Sequence, residues 1–538
     1  MTIASYVVEC AWDGSTVYTG TGSTLSSRVL SMEWDRGRDK GSQYIGRSIA
    51  GSLTLRLDNR SGDYNSFNSA SPLYGNILPG RKVRVRATAV GAEVVNYTLW
   101  TGFLERITPS IEVGGWQEVT LEAIGPLGRI SGHEIATALA EVVLSGAALS
   151  SALNEAGWST TELFRDLGLS TLQYWYANND DALEAIRQIE ETELGFIGEG
   201  KNGFITFEAR NHRSLDGSGT STDHLTSQAT FGDSATALLR YTNLTQSDPW
   251  ADIANVVRLK VLALSTGLTD ITLFNKDRAR SFNPLIEAGT TFSITAVYPN
   301  PSSTAGAIGV GNWITLATSL TEQSSGGDYA AHLVSYDAAA LNAAGTNDTM
   351  TAALTVTLTK KVGYMDIALA NGSAQDVYLT TLRCRGTPLN EVDIPSYFRE
   401  DTVSQGIYGK HSWPGGKQWL AVDSVSPANI YSTRYAQFIL GVFSKPIPVI
   451  TMSISANTDS NHMTQAFTRD ISDFITVNAN TVRTQLGFTD EGCFIEREHH
   501  VVKNMTEHWV TWECSPRRFF NLEFIPGLSY YGQNTQLA

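Results

Sequence analysis

GSLTLRLDNRSGDYNSFNSASPLYGNILPGRKVRVR, residues 51–86, is the passage on which the fold class turns. It opens in strict alternation, with Leu53, Leu55 and Leu57 on one face of an extended strand. Arg56 and Asp58 are read on opposite faces of the strand end. Asn59, Arg60, Ser61 and Gly62 then turn the chain, and Pro79-Gly80 turns it again. From Lys82 to Ala87 the alternation resumes, placing Val83 and Val85 opposite Arg84 and Arg86. A period of two broken by turn chemistry is the signature of strands that bury one face.

The same pattern extends outward. Residues 5–12, 99–107 and 117–124 read as strands, separated by Asp13-Gly14 and Gly114-Gly115. Short strands at even spacing predict a closed or nearly closed barrel over residues 1–130. Beyond it the period changes. The Ala- and Leu-rich run 135–156 predicts a helix, and DDALEAIRQIEETE, 180–193, predicts another capped by Asp180 or Asp181, with Leu183, Ile186 and Ile189 defining one face and Glu190 at its margin. A hairpin over 195–208 and a polar loop over 211–232 complete a helix-containing unit, 131–240. Strands return near Trp250. Residues 265–375 read as an inserted β-sandwich between 241–264 and 376–515, and an amphipathic helix is expected over 427–443. The segment 446–515 reads as strands, and 516–538 as an aromatic docking tail. The expected class is thus a mainly β, multi-domain chain.

Composition agrees. The 538 residues exceed what one core accommodates. Charged residues are only 17%, while 47 glycines suit many turns. With 39 basic and 54 acidic residues the net charge is −15, which opposes wrapping of a phosphate backbone. Such acidity serves solubility, and it also suits a channel that nucleic acid passes without sticking. Cys10, Cys384, Cys493 and Cys514 show no zinc spacing, although Cys493 and Cys514 are close enough in sequence to meet across a hairpin. No basic, apolar leader opens the chain and no apolar run reaches 18 residues, so synthesis in the cytoplasm without a secretion signal is expected.

A search for chemistry returns little. His133 begins a zinc-protease-like helix pattern, but Thr137 stands where the second histidine belongs. In GluArgGluHisHis, 496–500, the two histidines point to opposite faces of what reads as a surface strand. Glu190, Glu191 and Glu193 read as a solvated helix face. No nucleophile elbow or phosphate loop occurs in its required setting. The aromatic run 174–176 reads as core, and the tyrosine and phenylalanine pairs at 519–520 and 530–531 read as partner contacts. No catalytic residue, cofactor or metal is expected, so the chain reads as a non-enzyme.

The passage 51–86 resembles a segment of the minor tail and baseplate-hub proteins of long-tailed bacteriophages. In that family an alternating strand ends in a turn matched here by Arg56, Asp58, Asn59, Arg60 and Tyr64. A segment matched by Pro72, Tyr74, Gly75, Pro79 and Gly80 then opens the next strand. Further pieces follow in order: WTGFLERI at 100–107 with Gly102, LEAIGPLGRI at 121–130, the hairpin 191–210, IANVVRL at 253–259 with Asn255, and QGIYG at 405–409 with Tyr408 and Gly409. Gly125 stands where the family pattern has an aspartate. The resemblance covers about 1–260 and 375–515. It implies two tube-like β-barrel hub domains joined by a helix-containing domain, assembled as a homotrimer at the tail tip of a virion, where the acidic balance suits a DNA-exit channel. Implied partners are the distal tail, tail-tube and tape-measure proteins and a tail fibre or receptor-binding protein. Alternatives are a receptor- or carbohydrate-binding protein that reads a host surface glycan through the inserted sandwich, and a cell-wall hydrolase.

Overall fold

The computed structural model describes residues 4–38, 47–89, 96–111, 115, 117–210, 212–213, 226–234, 237–261, 263–266, 271–276, 284–297, 314–316, 321–325, 332–340, 354–361, 363–392, 396–413, 415, 417–418, 430–479 and 488–517. The chain is mainly β, as its alternation predicts. Six strands, β1 (Ala4–Cys10), β2 (Val29–Arg38), β3 (Ser48–Asp58), β4 (Lys82–Ala89), β5 (Asn96–Ile111) and β6 (Gln117–Ile124), pair in the order β1-β4-β5-β6-β3-β2. Each neighbouring pair is antiparallel. Leu53, Leu55 and Leu57 are buried together with Val83 and Val85, so the periodicity of 51–86 fixed the inward face correctly. Arg56 and Asp58 correct the reading made above. Two residues apart on a strand, they share the outward face.

Beyond β2 the sheet does not close on itself. No closed barrel is found among the described residues. Instead β2 pairs with a long strand, Phe488–Lys503, which folds back on Glu507–Pro516 as a hairpin; Val449–Ser455 and Asn243–Ser247 extend the ladder. The long strand splits its outer edge, giving residues 497–503 to β2 and residues 488–494 mostly to Phe474–Ala479. Terminal segments nearly 500 residues apart in sequence therefore share one apolar core, in which Tyr6, Leu55 and Val85 join Ile454, Val510 and Trp512. A helix, residues Ser460–Thr468, interrupts the stretch 446–515 that alternation assigned to strands. Asp459 caps it through the Asn461 and His462 amides, and Met463, Ala466 and Phe467 fill the shared core.

The middle of the chain holds a separate core. The run 135–156 is helical only at its end: Glu134–Ala136 and Ala140–Leu144 are strands, and helix Ser145–Glu155 follows. Helix Ala182–Glu193 is capped by Asp181, whose carboxylate accepts from the Leu183 and Glu184 amides. Leu149, Leu153, Ile186 and Ile189 pack between them. Phe196–Glu199 and Ile205–Glu208 form the expected antiparallel hairpin. Between Ala263 and Val392, described strands form a seven-stranded and a three-stranded sheet around their own core of Ile286, Met365, Ile367, Leu369 and Leu379. Helix Ile430–Phe443 packs on Val257 and Leu259. The expected loop 211–232 lies mostly outside the described residues, as does the tail beyond residue 517.

Replacing Leu55, fully buried on the central strand β3, by Ala is expected to lower stability by about 2–5 kcal/mol. Chemical unfolding followed by tryptophan fluorescence checks this; a loss under about 1 kcal/mol contradicts a single core shared by the terminal segments.

Candidate functional site: a buried ionic junction

The inner face of the seam changes character along its length. On β2 the inward residues run Met32, Trp34, Arg36, Arg38, and on the facing strand Val502, His500, Glu498, Glu496; all eight are buried. Apolar packing gives way to charge where the 196–208 hairpin meets the strand ends. Arg36 sits directly across from Glu498. Its Nε and Nη2 donate to Glu498 Oε1 at 2.9 and 2.7 Å, Nη1 to the Glu199 carbonyl at 2.5 Å and Nη2 to Asp470 at 2.5 Å. Arg213 Nη1 donates to Glu496 at 2.7 Å, and its Nε lies 3.3 Å from Glu208. Lys201, in the hairpin turn, donates to the Phe467 carbonyl at 3.1 Å and to the Arg469 carbonyl, at the C-terminal end of helix Ser460–Thr468, and stands 3.9 Å from Glu498. One set of ion pairs thus ties β2, the C-terminal hairpin, the middle unit and that helix together.

Two histidines extend it. Tyr6 Oη lies 3.0 Å from His508 Nδ1, His508 Nε2 lies 2.9 Å from His500 Nδ1, and His500 Nε2 lies 3.6 Å from Glu498. With the tyrosine hydroxyl as donor, one neutral tautomer of each ring satisfies the first two links and points His500 Nε2–H toward Glu498, which stands beyond hydrogen-bond reach. The Trp34 ring stacks on His500 at 4.6 Å. Burial pushes both histidines below their ordinary value; Glu498 opposes this for His500, and the neighbouring His500 and Lys201 deepen it for His508. For Glu498, burial acts upward, but Arg36 and Lys201 outweigh it and hold the carboxyl well below the usual range. The strand 496–500 is therefore not a surface strand: Glu496, Glu498 and His500 face inward, while Arg497 and His499 face outward and pair with Asp35.

The middle unit's carboxylates are also interior. Glu190 accepts from Arg187 and from the Ile197 amide, both at 2.7 Å; Glu193 accepts from Ser145 and the Ser170 amide, both at 2.7 Å. Of the solvated face expected for 190–193 only Glu191 stays partly exposed, because Glu190 and Glu193 turn inward to accept these buried donors. Glu199 takes the amides of Gly51 and Leu127 at 2.8 and 2.7 Å. Burial raises it to about 7, against the pull of those two amides. A Cβ at Gly125 would stand 1.9 Å from this carboxylate. The Glu199 carboxylate thus fills the space that a side chain at position 125 would need.

The motif residues fall into two groups. Around β3, Arg56 pairs with Glu118 at 2.6 Å, Asp58 with Arg60, and buried Asn59 accepts from the Tyr64 amide at 3.1 Å while Tyr64 packs on Trp12. Pro72, Tyr74, Gly75 and Pro79 are exposed, and the Gly80 amide donates to Leu104. Gly102 permits a close approach, since a Cβ there would stand 2.3 Å from the Ile124 carbonyl. The second group meets at Asn255, fully buried, whose amide nitrogen donates to Ser404 and to the Gly409 carbonyl at 3.0 and 2.7 Å, and whose side-chain oxygen accepts from the His411 amide at 2.8 Å. Residues 405–408 end a helix, Thr402–Tyr408, and Gly409 adopts φ +82° just beyond it. Tyr408 meets Trp250 edge-on.

Among the described residues no group of three metal-binding side chains occurs, and no helix is long and apolar enough to cross a membrane. His133 is exposed and precedes a strand, not a helix. Trp175 is core. Cys493 and Cys514 lie on adjacent strands as buried thiols with no disulfide between them, and burial pushes the Cys514 thiol well up.

No protein-family model matches the chain, and no curated protein matches its sequence. Similar solved structures include the tail protein from Neisseria meningitidis MC58 (TM-score 0.46, 7% identity, 95% of this chain and 96% of that one). The 43 kDa tail protein of prophage MuSo2 from Shewanella oneidensis is also similar (TM-score 0.46, 9% identity, 96% of this chain and 99% of that one). A third is prophage tail protein gp18 from Listeria monocytogenes EGD-e (TM-score 0.38, 7% identity, 95% of this chain and 94% of that one).

Breaking the central pair by Glu498→Gln is expected to lower stability by about 3–5 kcal/mol, with much of the loss recovered in Arg36→Met/Glu498→Met, because the uncompensated buried charge is then gone. Urea unfolding of wild type and the two variants reads this, and a double variant no more stable than Glu498→Gln contradicts it. The histidines carry a pH dependence as well. Their depressed folded values make the contribution complete above about 6.5 and lost as pH falls through them. His500→Phe/His508→Phe should therefore lose at least ~1 kcal/mol less than wild type between pH 7.5 and pH 4.5. Glu199, whose raised value acts in the opposite direction, is common to both proteins and cancels.

Proposed function

We propose that this chain is a structural hub subunit of a phage tail tip, without catalytic activity, assembling as a homotrimer that joins the tail tube to the distal tip around the DNA-exit channel. The ordered series of motifs from Gly51 to Gly409 carries the reading. Two of its pieces, 253–259 and 405–409, meet at the buried Asn255 although about 150 residues separate them. The ionic junction supports it further: buried ion pairs contribute little net stability but select one arrangement, which suits a part that must present fixed geometry to neighbours. The partners in this reading are the distal tail, tail-tube and tape-measure proteins, with a fibre or receptor-binding protein beyond. The acidic balance suits a lumen that nucleic acid crosses unbound.

Light scattering of the purified chain is expected to give three times 58.4 kDa, or trimerisation on addition of the distal tail protein. A stable monomer with no affinity for tube or distal tail proteins overturns the reading. A second role attaches to the inserted strands. Ala263 and Val392 are direct partners at the entry and exit of a segment with its own core. Replacing 264–391 by a short glycine linker should therefore leave tails assembled; loss of adsorption to host cells in such tails assigns receptor or glycan binding to that segment.

A further inference from the structure

Where helix Ile430–Phe443 passes the 196–208 hairpin, the fold leaves a cavity of about 50 Å³. One wall is apolar, from Phe438 and Val442; the other carries Arg38, Arg210, Arg213 and Glu208. These cations are not equivalent. Arg213 is bound to Glu496 at 2.7 Å and lies 3.3 Å from Glu208. Arg210 Nη1 donates to Ser170 Oγ and to the Glu193 carbonyl, both at 3.3 Å. Arg38 is the exception. Its side chain is 9% exposed, its guanidinium lies 3.7 Å over the Phe196 ring, and its Nε stands 3.5 Å from Glu496 without a hydrogen bond. Among the described residues no acceptor is hydrogen-bonded to its terminal nitrogens. Burial accordingly pulls Arg38 below the usual arginine value despite Glu496.

A buried guanidinium held flat against a ring presents its remaining donors edge-on, in the fork that matches two oxygens of one carboxylate. The space suits such a group. A single water needs about 10–15 Å³ on the same scale, so the cavity admits roughly three to five waters, or one carboxylate of about four or five heavy atoms. Glu208 in the wall disfavours a doubly charged oxyanion, and the faces of Phe438 and Val442 favour a ligand with an alkyl end. We propose that this cavity binds a small monocarboxylate of acetate or propionate size, its oxygens held by Arg38 and its alkyl end against Phe438 and Val442.

Calorimetric titration of the full chain at pH 7 and constant ionic strength tests this with acetate, propionate and inorganic phosphate. Saturable binding of both carboxylates is expected, at least tenfold tighter than phosphate. Arg38→Met should weaken it more than tenfold, and Arg38→Lys less. Because Arg38→Met also releases Glu496, Val442→Phe provides a second variant, which fills the cavity while leaving the arginine in place and should abolish binding. Absence of binding in the wild type means a cavity of water only and overturns the proposal. Equal response to phosphate, or binding unchanged in Val442→Phe, overturns it equally, since surface charge then accounts for the signal.

Discussion

The pairing of Arg36 with Glu498 is the constraint around which the other contacts are arranged. The two residues lie 462 positions apart, yet they face each other across one ladder, and each is completed by a different part of the chain. Arg36 reaches the hairpin carbonyl of Glu199 and the carboxylate of Asp470, while Glu498 draws in Lys201 and His500. Removing water from these charges is expensive, and their attraction offsets that expense only with every lone pair and proton accommodated. That requirement is a geometric one. It fixes the register between β2 and the C-terminal hairpin, and it fixes the position of the middle unit above them.

The apolar core below the junction gives cohesion without such selectivity. Leucine, valine and tryptophan side chains exclude a one-residue slip, which would turn them to solvent, but discriminate less sharply among shifts of two residues. The change along β2 from Trp34 to Arg36 converts a sheet that is merely greasy on one face into one that accepts a single partner at its end. Glu199 repeats the principle. Its carboxylate occupies the space that glycines at 51 and 125 leave open and fastens the hairpin to the end of β3 and to the turn after β6.

Much of the architecture was legible in the letters, because it follows from local periodicity. The leucines of 51–57, the valines of 83–85, the Asp181 cap and the hairpin around Gly200 each depend on neighbours within a few residues. Where the reading erred, a distant partner had overridden the local pattern. In 460–468 the Asp459 cap is local and offers a helix start, and it is the packing of Phe467 against Tyr6, Tyr97 and His508 that holds the segment helical within a stretch of strands. The run 135–156 has helical composition throughout, yet pairing with Asn178–Asp181 and Thr171–Trp175 holds its first part extended.

The junction itself was invisible for a related reason. GluArgGluHisHis has the composition of a solvated edge, and charge in a strand is ordinarily exposed. Alternation did separate Glu496, Glu498 and His500 from Arg497 and His499. Which of the two sets faces inward depends on Arg36, Lys201 and Arg213, which no local pattern brings near. Strand periodicity, turn chemistry and helix caps thus follow from contacts a few residues long, so the letters suffice for them. The burial of a charge is decided by its counter-charge, and for Glu498 that partner lies at the opposite end of the chain, so only the folded molecule reveals it.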